Sequence, residues 1–134
     1  MIPPGPPLTG MNRHWDIFAY GTLRRGFSNH GYVRGCPCLG PAVTADAYGL
    51  YVADGIPYLV AGEARYPVVG EVYRVDAATL ARLDALEEHP DVYCRSRADI
   101  VMADGRRCLA WIYFARQPCG MFAPAGDFAR LSTI

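Results

Sequence analysis

A small α+β domain, with a mixed β-barrel-like sheet and one main helix, is what this sequence predicts, and three observations predict it. Short apolar runs rich in Val, Tyr and Thr recur between turn signals from Trp15 to Phe114. One stretch, from Asp76 to about Glu88, instead keeps a helical spacing of apolar residues through Ala77, Leu80, Leu83 and Leu86. No repeat or linker divides the 134 residues, a length that suits a single hydrophobic core.

The elements follow in order. Residues 1–14 form a flexible N-terminal extension and residues 15–134 the domain, with Met11 an alternative start. Trp15 to Tyr20 is short and apolar, a buried strand. Thr22 to Gly35 is polar and punctuated by glycine, hence a loop with a helical turn around Asn29 to Arg34. Pro41 to Val52 alternates loosely and favours strand, and Asp54-Gly55 is a hairpin turn into the strand Ile56 to Val60. Ala61 to Tyr66 is a turn, and Val68 to Val75 is a strand. Asp76 caps the helix by accepting from free first-turn N–H groups, and Pro90 stops it. Tyr93 to Met102 and Cys108 to Phe114 are strands joined at Ala103-Asp104-Gly105. From Gln117 onward Pro118, Gly120, Pro124 and Gly126 break any regular element, leaving an irregular covering segment.

Composition narrows the function. Thirteen basic residues balance thirteen acidic ones, which argues against a nucleic-acid or membrane-surface binder. Arg13, Arg24, Arg25 and Arg34 cluster early, a pattern typical of a solvated face. The first ten residues hold four prolines and no basic group, unlike a signal peptide. No apolar run reaches the length of a membrane helix. The five cysteines, Cys36, Cys38, Cys94, Cys108 and Cys119, form no regular disulfide framework, which points to a reducing, cytoplasmic home. Cys36-Pro37-Cys38 lacks the spacer of a zinc knuckle, and His14, His30 and His89 are scattered, so no metal site is expected.

Two features carry chemistry. Phe18-Ala19-Tyr20-Gly21-Thr22-Leu23 leaves a strand and turns at once, which presents backbone N–H groups around a glycine. Oriented amides of this kind hold a carboxylate or a developing oxyanion. A phosphate grip by Gly21 to Gly26 is disfavoured, because the Gly-Lys-Ser/Thr ending of a phosphate loop is missing. The second feature is an acid on the wrong face. At about 100 degrees per residue, Glu87 lies about 20 degrees from Leu80, inside the apolar stripe, while Glu88 points to the flank. Burial and the negative end of the helix dipole both push its pKa upward, towards general acid–base work near neutral pH. Arg95 or Arg97 could instead neutralise Glu87, and Asp84 could equally be the inward acid.

These residues resemble the gamma-glutamylcyclotransferase-like (AIG2-like) family, most closely its gamma-glutamylamine cyclotransferase branch. The resemblance spans roughly Trp15 to Phe114. It rests on Tyr20-Gly21-Thr22-Leu23, Gly55-Ile56-Pro57-Tyr58-Leu59-Val60, Gly70-Glu71-Val72-Tyr73, and Leu83-Asp84-Ala85-Leu86-Glu87 followed by Pro90 and Tyr93-Cys94-Arg95. It implies the family's fold, a catalytic role for Glu87, and a glutamyl pocket lined by Tyr20, Gly21, Thr22, Leu23 and Tyr113. Tyr93 matches a second pocket tyrosine less closely and reads better as a core aromatic with its hydroxyl at the surface. The implied substrate is a small gamma-glutamyl amide, cyclised to 5-oxoproline with release of an amine, with no cofactor. Where the family has glycine or a small residue after the acid, this chain has Glu88-His89, and its tail matches no family pattern. Three other readings remain: removal of a gamma-glutamyl group from a biosynthetic intermediate, glutathione cleavage, or a non-catalytic ligand-binding domain that kept the pocket.

Overall fold

The structure, a computed structural model, describes residues 13–131. Most of the expected extension, residues 1–14, including Met11, lies outside the described residues. Among the described residues there are seven strands: β1 (Trp15–Ala19), β2 (Cys38–Ala53), β3 (Ile56–Val60), β4 (Tyr66–Val75), β5 (Tyr93–Met102), β6 (Arg107–Ala115) and β7 (Met121–Phe122). A helix, α1 (Ala77–Leu86), joins β4 to β5, and a short α2 (Phe128–Leu131) follows β7. Strands β2, β4, β1, β6 and β5 form a closed ring, because β5 pairs back onto β2 at Val43↔Val101. All the ring pairings are antiparallel except β1 with β6. The barrel-like α+β architecture is therefore present.

Closure explains the burial pattern. Alternate residues of each strand point inward, so Phe18, Tyr20, Val72, Ile100 and Ile112 fill the barrel. The opposite face of β1, β4 and β6 carries Ile17, Ala19, Val75 and Ala115 under Leu80 and Leu83 of α1. Burying a leucine such as Leu83, at 0% exposure, stabilises by roughly 2 kcal/mol.

Several boundaries differ from expectation, each for a tertiary reason. Strand β2 starts at Cys38 rather than Pro41, because it serves several partners and bends through irregularities at Cys38/Gly40 and Val43/Ala47. Strand β4 starts at Tyr66, since Tyr66 and Pro67 pair with Tyr48 and Ala47. The expected loop turn is a 3-10 turn over His30–Tyr32. Asp54 (φ 53) and Gly55 (φ 74) both take left-handed conformations, as a two-residue hairpin requires. The tail is more regular than expected: Met121 and Phe122 pair with Val52 and Tyr51, and α2 plants Phe128 in the barrel at 1% exposure. Short elements anchored by one aromatic each leave too little periodicity to read.

Candidate active site

Strand β1 ends at Ala19, and the chain then turns through Tyr20-Gly21-Thr22-Leu23 over the end of the barrel. The turn closes through Arg24 N–H donating to Gly21 O at 3.0 Å, and Asn29 N–H donating to Thr22 O at 2.9 Å fixes its flank. The Asn29 amide also donates to Thr22 Oγ1 at 2.9 Å, and His30 Nδ1 lies 3.0 Å from Leu23 O. Among the described residues, the N–H groups of Gly21, Thr22 and Leu23 donate to no protein acceptor. A Cβ on Gly21 would run into the ring of Pro57, so only glycine lets the turn pack against the β2–β3 hairpin here.

Helix α1 brings the acid. Asp76 caps it, accepting from Thr79 N–H at 2.8 Å. The helix stops at Leu86, two residues short of the expected end, and the stop is set before Pro90 is reached. His89 N–H donates to Asp84 O at 2.9 Å and Glu88 N–H to Ala85 O at 3.2 Å, a Schellman cap. Glu87, the C-cap, keeps right-handed φ and ψ of -86 and -1, so its side chain stays on the core side. Glu88 then takes the left-handed position, φ 52, that such caps normally give to glycine. A side chain there costs roughly 1–2 kcal/mol. Glu88→Gly is therefore expected to raise stability by about 0.5–1 kcal/mol. In denaturant titration the midpoint should rise at unchanged slope, and a lower midpoint would contradict the cap.

The turn, the helix end and the hairpin enclose a cavity of about 380 Å³. Tyr20, Gly21, Thr22, Leu23, Glu87 and Tyr113 all line it. Burial pushes the Glu87 carboxyl up from 4.5 to about 7. Its carboxylate makes no hydrogen bond or ion pair among the described residues. Burial raises the phenols of Tyr20, Tyr93 and Tyr113, and the Glu87 charge adds to each.

The two alternatives left open by periodicity separate here. Asp84 is not available: Arg95 grips it through Nε at 2.8 Å and a second nitrogen at 3.1 Å, and Tyr113 donates to it at 2.7 Å. Burial raises its pKa, yet Arg95 and Tyr113 outweigh burial and hold it below the usual carboxylate value. Arg95 is thus spent on Asp84 and lies 4.8 Å from the Trp111 ring, with Arg97 5.5 Å from the same ring. Tyr93 also lines the cavity, and its hydroxyl turns inward to Pro57 O at 2.7 Å instead of reaching the surface. Sequence reasoning matched it to a pocket tyrosine but preferred the core reading, and it missed the wall formed by Asp54, Ile56 and Tyr58. The Asp54-Gly55 turn marked that hairpin, but nothing local said which surface it would face.

Among the described residues no three His, Cys, Asp or Glu side chains gather as a metal site, and no helix is long and apolar enough to cross a membrane. All five cysteines are free.

Comparison with known proteins bears on this geometry. The family model described as gamma-glutamyl cyclotransferase, AIG2-like, matches residues 17–130. A Methanocaldococcus jannaschii protein, named provisionally as a gamma-glutamylcyclotransferase, is 42% identical over 113 residues, spanning 84% of this chain and 93% of its own. A zebrafish (Danio rerio) protein named gamma-glutamylaminecyclotransferase A is 36% identical over 102 residues, 67% of this chain and 61% of its own. The crystal structure of a mouse AIG2-like protein superposes with a TM-score of 0.74 at 28% identity, covering 81% of each chain.

Proposed function

The chain belongs to the gamma-glutamyl cyclotransferase, AIG2-like family, and we propose that it cyclises gamma-glutamyl amides of simple amines to 5-oxoproline, with Glu87 as general acid and base. One observation carries the reading: an unpartnered carboxyl, raised to about 7 by burial, shares a cavity with unengaged backbone N–H groups at Gly21, Thr22 and Leu23.

The chemistry follows from the substrate. Its α-amine attacks its own γ-carbonyl, the new N–C bond closes a five-membered ring, and the bond to the leaving amine breaks. Because the nucleophile is intramolecular, the protein's tasks are to fold the substrate and move a proton. Glu87 takes that proton from the α-ammonium and delivers it to the departing nitrogen. The second proton, shed as the attacking nitrogen becomes the lactam N–H, is taken up by the released amine, which leaves as an ammonium ion. The amides around Gly21 hold the α-carboxylate or the oxyanion. Tyr20 and Tyr113 shape the pocket. The proton balance needs no further acid.

The charged side chains lining the cavity, among the described residues, are Asp54, Glu87 and Glu88, all carboxylates. They disfavour an anionic leaving group such as the dipeptide of glutathione and favour neutral or cationic amines. Free cysteines fit a reducing compartment such as the cytoplasm.

The test is a panel of gamma-glutamyl alkylamines, gamma-glutamyl-ε-lysine, gamma-glutamyl amino acids and glutathione. The expected result is 5-oxoproline and free amine in equal amounts from the amine conjugates, with glutathione poor. A folded protein that forms no 5-oxoproline from any of them would overturn the reading in favour of a binding domain.

A further inference from the structure

Arg24, the residue that closes the amide turn, is tied to the far end of the chain. Its Nη1 donates to Asp127 Oδ1 at 2.8 Å, and the two side chains are only 13% and 19% exposed. Its Nε is buried without a hydrogen-bond partner among the described residues, so Asp127 is the charge that balances this guanidinium. Asp127 is itself held firmly. Its Oδ1 also accepts Ala129 N–H at 3.0 Å, and it lies between Ala123 and Phe128, both 1% exposed. Ala123 N–H donates to Leu50 O at 2.7 Å on β2. The Phe128 ring packs against Phe27 of the turn's own loop, with centroids 5.4 Å apart. On the other side, Glu71 Oε1 on β4 accepts Arg25 N–H at 3.1 Å and the Tyr73 hydroxyl at 2.7 Å.

The turn is therefore pinned from two sides by groups that do not line the cavity. A buried ion pair of this kind adds little net stability, yet breaking it leaves a buried charge that must find water. For Arg24, water lies outward, and moving there pulls on the carbonyl and N–H that define the turn.

We propose that the C-terminal segment is the clamp of the amide turn, acting through the Arg24–Asp127 pair, with both as positioning residues. The proposal rests on the cyclotransferase reading for its effect on turnover, though its structural half does not. It gives the tail, which the family match covers as far as residue 130 against expectation, a definite task.

Asp127→Asn keeps the acceptor oxygen and removes the charge. Its kcat/KM is expected to fall about 10- to 100-fold, because small misplacements of binding groups cost that much. The loss should fall mainly in KM if the amides hold the α-carboxylate, or in kcat if they hold the oxyanion. The acid limb of the pH profile should not move. Hydrogen exchange at the Arg24 and Asn29 amides, which close the turn, should accelerate. The control is Ile100→Val or Ile100→Ala, whichever matches the melting temperature of Asp127→Asn; it should leave those two amides protected and kcat/KM near wild type. An equal activity loss in the control, or unchanged protection at Arg24 and Asn29 in Asp127→Asn, would overturn the clamp. The exchange result decides this even if no gamma-glutamyl amide is turned over, so failure of the clamp and failure of the cyclotransferase reading stay distinct.

Discussion

Glu87→Gln is expected to fold normally and to lose turnover of gamma-glutamyl amides by about 10²- to 10⁴-fold, the usual contribution of a positioned proton carrier. Glutamine fills the same volume and keeps an acceptor oxygen, so the cavity survives while the proton route does not. In the wild type, kcat/KM should rise with pH through an apparent pKa near 7, where burial has placed the carboxyl. The same placement predicts an effect on stability, with the opposite benefit. The folded pKa lies above the ordinary 4.5, so the folded protein holds this proton more tightly than the unfolded chain. The stability this group contributes is full below about 4.5 and is lost as pH rises through about 7. Above that pH, wild type carries a burial penalty of about 3 kcal/mol that glutamine lacks. Melting temperatures of the two proteins should therefore nearly coincide at pH 4, with the variant higher at pH 9. Activity within a few-fold of wild type would remove Glu87 from the mechanism. Melting curves that stay parallel at both pH values would show that the carboxyl is not desolvated.

The barrel and its helix were legible because each has a local signature. The apolar stripe of α1 and the Asp76 cap marked the helix, and strands such as Ile56–Val60 and Tyr93–Met102 lie where their alternation puts them. Glu87 was legible for a related reason: a charged residue inside an apolar stripe breaks a pattern, and the break shows in one dimension. Its competitor Asp84 could be set aside only in three dimensions, since the choice depends on where Arg95 reaches from the neighbouring strand. The hairpin wall, the inward hydroxyl of Tyr93 and the Arg24–Asp127 pair were illegible for the same reason. Each is a contact between segments far apart in sequence, and no periodicity records it. The Schellman cap falls between these cases. Its hydrogen bonds are local, but Glu88 in place of glycine hid it.

A large stability loss from a small change is expected at Gly70, and it shows why the Gly70-Glu71-Val72-Tyr73 stretch has its form. Gly70 lies on β4 opposite Ala42, with its missing side chain on the inward face that Val68 and Val72 occupy on either side. A Cβ there would meet the Ala19 carbonyl oxygen, and would sit 2.7 Å from Phe18 Cζ and 3.0 Å from Phe18 Cε2. The Phe18 ring fills the barrel over the space glycine leaves empty. Phe18 is 1% exposed and cannot swing out, and the Ala19 carbonyl belongs to the backbone that starts the amide turn. Gly70→Ala must therefore push β1 away from β4, at a cost of about 3 kcal/mol, the upper end for overpacking a core. For a chain of this size that lowers the melting temperature by roughly 10 °C. Gly31→Ala is the matched comparison, because nothing lies within 4 Å of a Cβ there, and its effect should stay within about 0.5 kcal/mol. Adding Phe18→Leu to Gly70→Ala should recover part of the loss by removing the ring, but not the share owed to the Ala19 carbonyl. Full recovery would mean the ring alone sets the spacing. No loss at all in Gly70→Ala would mean that β1 and β4 are not held at the separation that aims the Tyr20-Gly21-Thr22-Leu23 turn at Glu87.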